Sequence, residues 1–170
     1  EIGVRLVGSE MCIRDRTCTA DDIEACKKLA KLAGIDIEEY GRAMFKAGSN
    51  IESRTPKDLF NRDFKKFSVG DVVIGVGQVN CMEQEEVQNI KVKMKDYIST
   101  VTGDNGMDMV FFMITNVLDG GSEVLCSGKN ASATISQAFN VGTTDDSVYL
   151  DGVVSRKKQM LPAIMEALQQ

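Results

Sequence analysis

Apolar residues recur along this chain with two periods, and the switch between them marks out its elements. Ile23, Cys26, Ala30 and Ala33 return every three to four positions, which predicts a helix, and Thr19 with Asp22 gives it a capping-box start. Gly34 ends that helix. Asp36 can cap a second one, with Tyr40, Met44, Phe45 and Ala47 inward and Gly48 at its end. Thr55-Pro56 opens a short third helix, with proline at the first position and Leu59 and Phe60 on its buried face. The period then drops to two. Residues 64–69 alternate, with Phe64 and Lys66 on one face and Lys65 and Phe67 on the other. Residues 68–71 turn the chain into a β-branched run at 72–79.

The longest helical pattern covers residues 83–101, with Val87, Ile90, Met94, Tyr97, Ile98 and Val101 as its inner stripe. Residues 109–114 are apolar without interruption, which predicts a central strand buried on both faces. Gly120-Gly121 turns the chain into a strand near 123–126, and a short helix at 130–139 places Ala133 and Phe139 inward. Residues 148–154 return to strand. A last helix packs Met160, Leu161, Ile164, Met165 and Leu168 inward, and Pro162 is close enough to its start to be tolerated or to kink it. Alternating helices and strands around a buried central strand predict an α/β fold. The expected sheet is mixed, with about five strands, and helices flank both its faces.

The polar face of the last helix is unusual. Ser155 is a natural N-cap, so Arg156, Lys157 and Lys158 fall in the first turn. The positive end of the helix dipole meets three cations there, each costing on the order of 0.3–1 kcal/mol. The 83–101 helix does the opposite and carries Glu83, Glu85 and Glu86 in its first turn. Backbone N–H groups and fixed cations converging on a multiply charged anion would account for the misplacement; a solvated basic turn is the alternative. Gly75 and Gly77 form a GxG, but no helix opens directly after it, so close backbone packing or a bulge explains it better than a phosphate loop.

Composition narrows the chemistry. A net charge of −5 over 170 residues argues against a general nucleic-acid binder, and no apolar run approaches membrane-spanning length. The five cysteines, Cys12, Cys18, Cys26, Cys81 and Cys126, include no CxxC, as expected of reduced thiols in a cytoplasm. Histidine is absent, which excludes nucleophile–histidine pairs and imidazole-based metal sites. Residues 1–16 fit poorly with the rest. The run LVGSEMCIRD at 6–15 resembles a translated sequencing adaptor, so native sequence is expected to begin near Thr17.

Gly152 to Gln159, GVVSRKKQ, followed by Met160-Leu161-Pro162, closely resembles the C-terminal, DHHA2-type domain of family II manganese-dependent inorganic pyrophosphatases, members of the DHH phosphoesterase superfamily. Thr17-Cys18-Thr19, Glu38-Glu39-Tyr40-Gly41, Met44-Phe45-Lys46-Ala47-Gly48, Gln78-Val79-Asn80 and Ala138-Phe139-Asn140-Val141 resemble the same domain in the same order, so the likeness spans residues 17–170. The resemblance implies a clamp for pyrophosphate made of Arg156, Lys157 and Lys65; a one-residue slip of register would exchange Lys65 for Lys66. It also implies an N-terminal DHH domain in cis, absent from this sequence, that binds manganese or cobalt together with magnesium. The whole protein would be a cytoplasmic homodimer. A related exopolyphosphatase and a non-catalytic anion-binding module are the competing readings.

Overall fold

The computed structural model describes residues 19–49, 51, 53–104, 106–144 and 146–169. The adaptor-like run, together with Cys12, Thr17 and Cys18, lies outside the described residues. Two compact units divide after residue 50.

The first unit holds helices α1 (Ala20–Ala33) and α2 (Ile37–Ser49). The capping box at α1 forms in both directions. Asp22 N donates to Thr19 Oγ1 at 3.3 Å, and Thr19 N donates to Asp22 Oδ2 at 2.9 Å. Gly34 closes α1 in the left-handed region, at φ 67°. Cys26 and Ala30 are buried as expected, whereas Ala33 is exposed. Asp36 Oδ1 caps α2 by accepting from Glu39 N at 2.9 Å. Gly48 does not stop α2, which continues to Ser49. The inward placement expected of Phe45 and Ala47 lies outside the described residues.

The second unit is built on one sheet. It begins with α3 (Pro56–Arg62), whose cap Thr55 accepts from Asp58 N at 3.2 Å. Strands β1 (Phe64–Val69) and β2 (Val72–Cys81) follow as an antiparallel hairpin. Helix α4 (Gln84–Asp104) then crosses to β3 (Met109–Asn116), which runs parallel to β2. Strand β4 (Gly121–Gly128), helix α5 (Ala131–Phe139) and strand β5 (Ser147–Asp151) complete the sheet in the order β1-β2-β3-β4-β5. The β3–β4 and β4–β5 pairs are antiparallel. The sheet is therefore mixed, with five strands. A turn at Arg156–Met160 leads into the last helix, α6 (Leu161–Ala167).

Alternation along the strands sorts side chains into two cores. On one face, Leu59 and Phe60 of α3 and Val87, Ile90, Met94 and Ile98 of α4 pack over Val110, Phe112 and Ile114. On the other, Ile135 of α5, Met160 and Ile164 pack over Ile74, Val76, Phe111 and Met113. Every residue of β3 is buried, because helices cover both of its faces. The glycines of β2 serve close packing, and the β1–β2 ladder runs through them without a bulge. A Cβ on Gly77 would lie 2.7 Å from the Phe112 ring, and one on Gly75 would lie 2.7 Å from Met107 Sδ. Ala133, expected inward, is exposed; Ala131, Thr134 and Ile135 form the buried stripe of α5. That helix is short, and small residues on both sides leave its phase poorly marked.

Cys81 ends β2 where a helix cap would be expected. The cap comes instead from Glu86 Oε2, which accepts from Met82 N at 3.1 Å and Glu83 N at 3.2 Å. Cys81 Sγ donates to Thr115 O at 3.5 Å. Cys81 and Cys126 are free thiols. Burial, followed by nearby carboxylates, pushes the thiols of Cys81 and Cys126 from an ordinary 9.0 up to about 12. In the unfolded chain these thiols lose their protons first. Their contribution to stability is therefore complete below pH 9 and is lost as pH rises toward 12. The urea midpoint of the wild type is expected to fall more steeply above pH 9 than that of a Cys81→Ala/Cys126→Ala variant. Parallel profiles would show that the thiols do not contribute.

Candidate anion-binding site

The basic turn is tied down along its whole length. After β5, Gly152 takes φ 71° and residues 153–155 cross toward the end of β2. Gln159 folds back over this crossing. Its Oε1 accepts from Val154 N and Ser155 N, each at 3.0 Å, and its Nε2 donates to Gly152 O at 2.8 Å. Ser155 is the N-cap expected from the sequence, accepting from Lys158 N at 3.2 Å. The turn it opens is a π-turn, not an α-turn. Met160 N reaches Ser155 O at 3.1 Å, and Leu161 N bonds to Arg156 O. Pro162 follows immediately, and a wider turn before a proline eases the clash of its ring with the carbonyl four residues back.

Arg156 stands at the first position of the turn with its side chain only 13% exposed. Its guanidinium docks on Asp63, just before β1: Nη2 lies 2.8 Å from Asp63 Oδ1, and Nη1 donates to Asp63 O. This changes the electrostatic picture drawn from the sequence. Of the three cations at the wrong end of the dipole, Arg156 already has a carboxylate partner, so an external anion is not needed to account for it. Lys157 and Lys158 are exposed and form no ion pair among the described residues.

The strand register separates Lys65 from Lys66. Lys65 pairs with Val76, and Lys66 with Gly75. Phe67 and Val69, which share the face of Lys65, pack against the core containing Met160 of the basic turn. Phe64, which shares the face of Lys66, packs against the opposite core. Lys65 therefore lies on the same sheet face as Arg156 and Lys157, and Lys66 lies on the other. Two residues unremarked in the charge pattern connect these groups. Asp63 receives the guanidinium, and Gln78 on β2 bonds to both sides. Gln78 N donates to Asp63 O at 3.1 Å, and Gln78 Oε1 accepts from Arg156 N at 3.3 Å. The available signal for Gln78 was a half-buried amide following a run of β-branched and glycine residues, two positions before the exposed Asn80.

A metal centre does not fit this surface. Among the described residues, no three His, Cys, Asp or Glu side chains converge as a metal-binding group, and the sequence has no histidine. No helix among them is long and apolar enough to cross a membrane.

The chain is thus an α/β domain with a two-core mixed sheet, and Lys65, Arg156 and Lys157 lie toward one face of it. The chain belongs to the DHHA2 domain family, which matches residues 42–167. The manganese-dependent inorganic pyrophosphatase of Bacillus subtilis is 35% identical over 163 residues, covering 96% of this chain and 52% of that protein. The cobalt-dependent inorganic pyrophosphatase of Clostridium perfringens is 34% identical over 163 residues, covering 96% of this chain and 30% of that protein. A crystal structure from Methanococcus jannaschii, assigned to the family II inorganic pyrophosphatases, superposes with a TM-score of 0.74 and 34% identity. It is covered to 53%, and this chain to 97%. The chain thus spans about half the length of most curated relatives it matches.

Proposed function

We propose that this chain is the substrate-clamping domain of an inorganic pyrophosphatase, which hydrolyses diphosphate to two phosphates. The observation that carries this reading is the register of β1, which puts Lys65 on the face that bears Arg156 and Lys157. Pyrophosphate cleavage builds negative charge on the leaving phosphate, and fixed cations stabilise that charge without reorganising. Arg156 is held in place by Asp63 through two of its five N–H bonds, which leaves the rest of the fork for phosphate oxygens. Lys157 and Lys65 act as point charges. The manganese or cobalt named for the relatives belongs, on this reading, to the half of those proteins that this chain does not match. That half also supplies the nucleophile, and the whole protein is a homodimer.

The test is to join residues 19–170 to the unmatched half of the Bacillus subtilis relative. The joined protein is expected to release phosphate from pyrophosphate with manganese, and the 170-residue chain alone to release none. Release by the chain alone, above that of an Arg156→Ala/Lys157→Ala control, would refute the division of labour. A joined protein preferring long polyphosphate would point to an exopolyphosphatase. Tight pyrophosphate binding without hydrolysis would point to a regulatory module.

A further inference from the structure

Gln78 occupies an unusual position for a polar strand residue. Its main-chain N–H holds Asp63 O at 3.1 Å, and Asp63 is the carboxylate that seats Arg156. Its side chain reaches the other partner directly, with Oε1 accepting from Arg156 N at 3.3 Å and Nε2 donating to Val154 O at 2.9 Å. The amide cannot be flipped without losing these bonds, because oxygen faces a donor and nitrogen faces acceptors.

A directed chain of hydroxyls fixes that orientation. Ser122 Oγ donates its one hydrogen to Val153 O at 2.6 Å, so Thr115 must donate in the 2.9 Å contact between Thr115 Oγ1 and Ser122 Oγ. Thr115 Oγ1 is then free to accept from Gln78 Nε2 at 2.9 Å. Asn80 Oδ1 lies 3.2 Å from the same nitrogen. Strands β2, β3 and β4 thus hold the carbonyls of Val153 and Val154 and the amide of Arg156 through one polar relay.

We infer that Gln78 is a positioning residue for the anion clamp: it fixes the distance between the Asp63–Lys65 arm, which leads into β1, and the Arg156–Lys157 arm on the basic turn. This inference rests on the clamp reading above. An anion spanning both arms needs them at one separation, and a clamp misplaced by about 1 Å loses much of its advantage. Gln78 bonds to Asn80, Thr115, Val154, Arg156 and Asp63, and it acts on the clamp through Arg156 and Asp63.

The test uses the full 170-residue chain titrated with pyrophosphate and followed by the NMR shifts of the Arg156 and Lys157 amides. Lys157→Ala is expected to weaken binding about tenfold, one charge-assisted contact being removed. Gln78→Met, of similar length and without hydrogen bonds, is expected to weaken it about five- to tenfold as well. In the double variant the losses are expected to fall short of their product, because Gln78 sets the separation of two arms, one of which has already lost the Lys157 cation. A purely structural role would give no such coupling. Gln78→Glu keeps the acceptor toward Arg156 N and loses the donor toward Val154 O, and it serves if the methionine variant does not fold. If Lys157→Ala weakens binding and either folded Gln78 variant binds like the wild type, or the losses simply multiply, the role given to Gln78 is overturned. If Lys157→Ala itself leaves binding unchanged, the clamp reading falls, and this inference with it.

Discussion

Arg156→Ala in the joined protein is expected to lower manganese-dependent pyrophosphate turnover by about 100- to 1,000-fold, the usual loss when one preorganised donor to a developing charge is removed. The fold should survive the change. Asp63, the partner left behind, is 51% exposed and can be solvated, so no buried charge is stranded. Arg156→Lys is not expected to restore activity. A lysine offers one point charge and cannot hold both Asp63 O and Asp63 Oδ1 while presenting a second edge to phosphate. The measurement is steady-state phosphate release by both variants, with thermal melts alongside. Arg156→Ala retaining turnover within about threefold of wild type, at unchanged melting temperature, would remove Arg156 from the reaction.

The second large effect concerns the fold. Gly128 ends β4 opposite Met109, with φ 107°, a region that L side chains rarely adopt. A Cβ there would overlap Asp108 O and lie 2.9 Å from Met109 Cα. Both neighbours are backbone and cannot swing aside as a side-chain tip could. Asp108 is itself fixed, because its Oδ2 accepts from Val73 N at 2.7 Å and its N donates to Val73 O at 2.8 Å. Backbone strain of about 1–3 kcal/mol and overpacking of about 1–3 kcal/mol add to roughly 2–6 kcal/mol for Gly128→Ala. For a chain of this size each kcal/mol lowers the melting temperature by about 2–4 °C. A fall of about 4 °C or more is therefore expected in a thermal melt. A variant melting within about 1 °C of wild type would mean that the β3 entry relaxes freely.

Much of this architecture was legible because it follows from burial. The unbroken apolar run of β3 announced a strand covered on both faces, and the Phe64–Val69 alternation placed Lys65 opposite Lys66 before any register was known. The inner stripe of α4 was equally plain over 83–101, although the helix itself runs from Gln84 to Asp104. Short elements were harder to read. Seven or nine residues, as in α6 and α5, hold too few apolar positions to fix a phase, which is why Ala133 was placed on the wrong side. The π-turn left no trace beyond Pro162, since the residues of a π-turn are those of an α-turn with one more fitted in. In the candidate site the cations were visible as a charge pattern. Asp63 and Gln78 were not, because their importance comes from partners 93 and 78 positions away.

That separation has a consequence for folding. The Asp63–Arg156 pair closes a loop spanning much of the second unit, and closing so long a loop carries an entropic cost that the docking of the last segment must offset. A nascent chain that has paired its first four strands carries Lys65 but has nothing to set opposite it. The proposed site therefore comes into being only with the docking of the last helix. On the proposed reading, the number of anion sites per chain would then report completed folding: a preparation with half a site per chain would hold chains whose final segment has not docked.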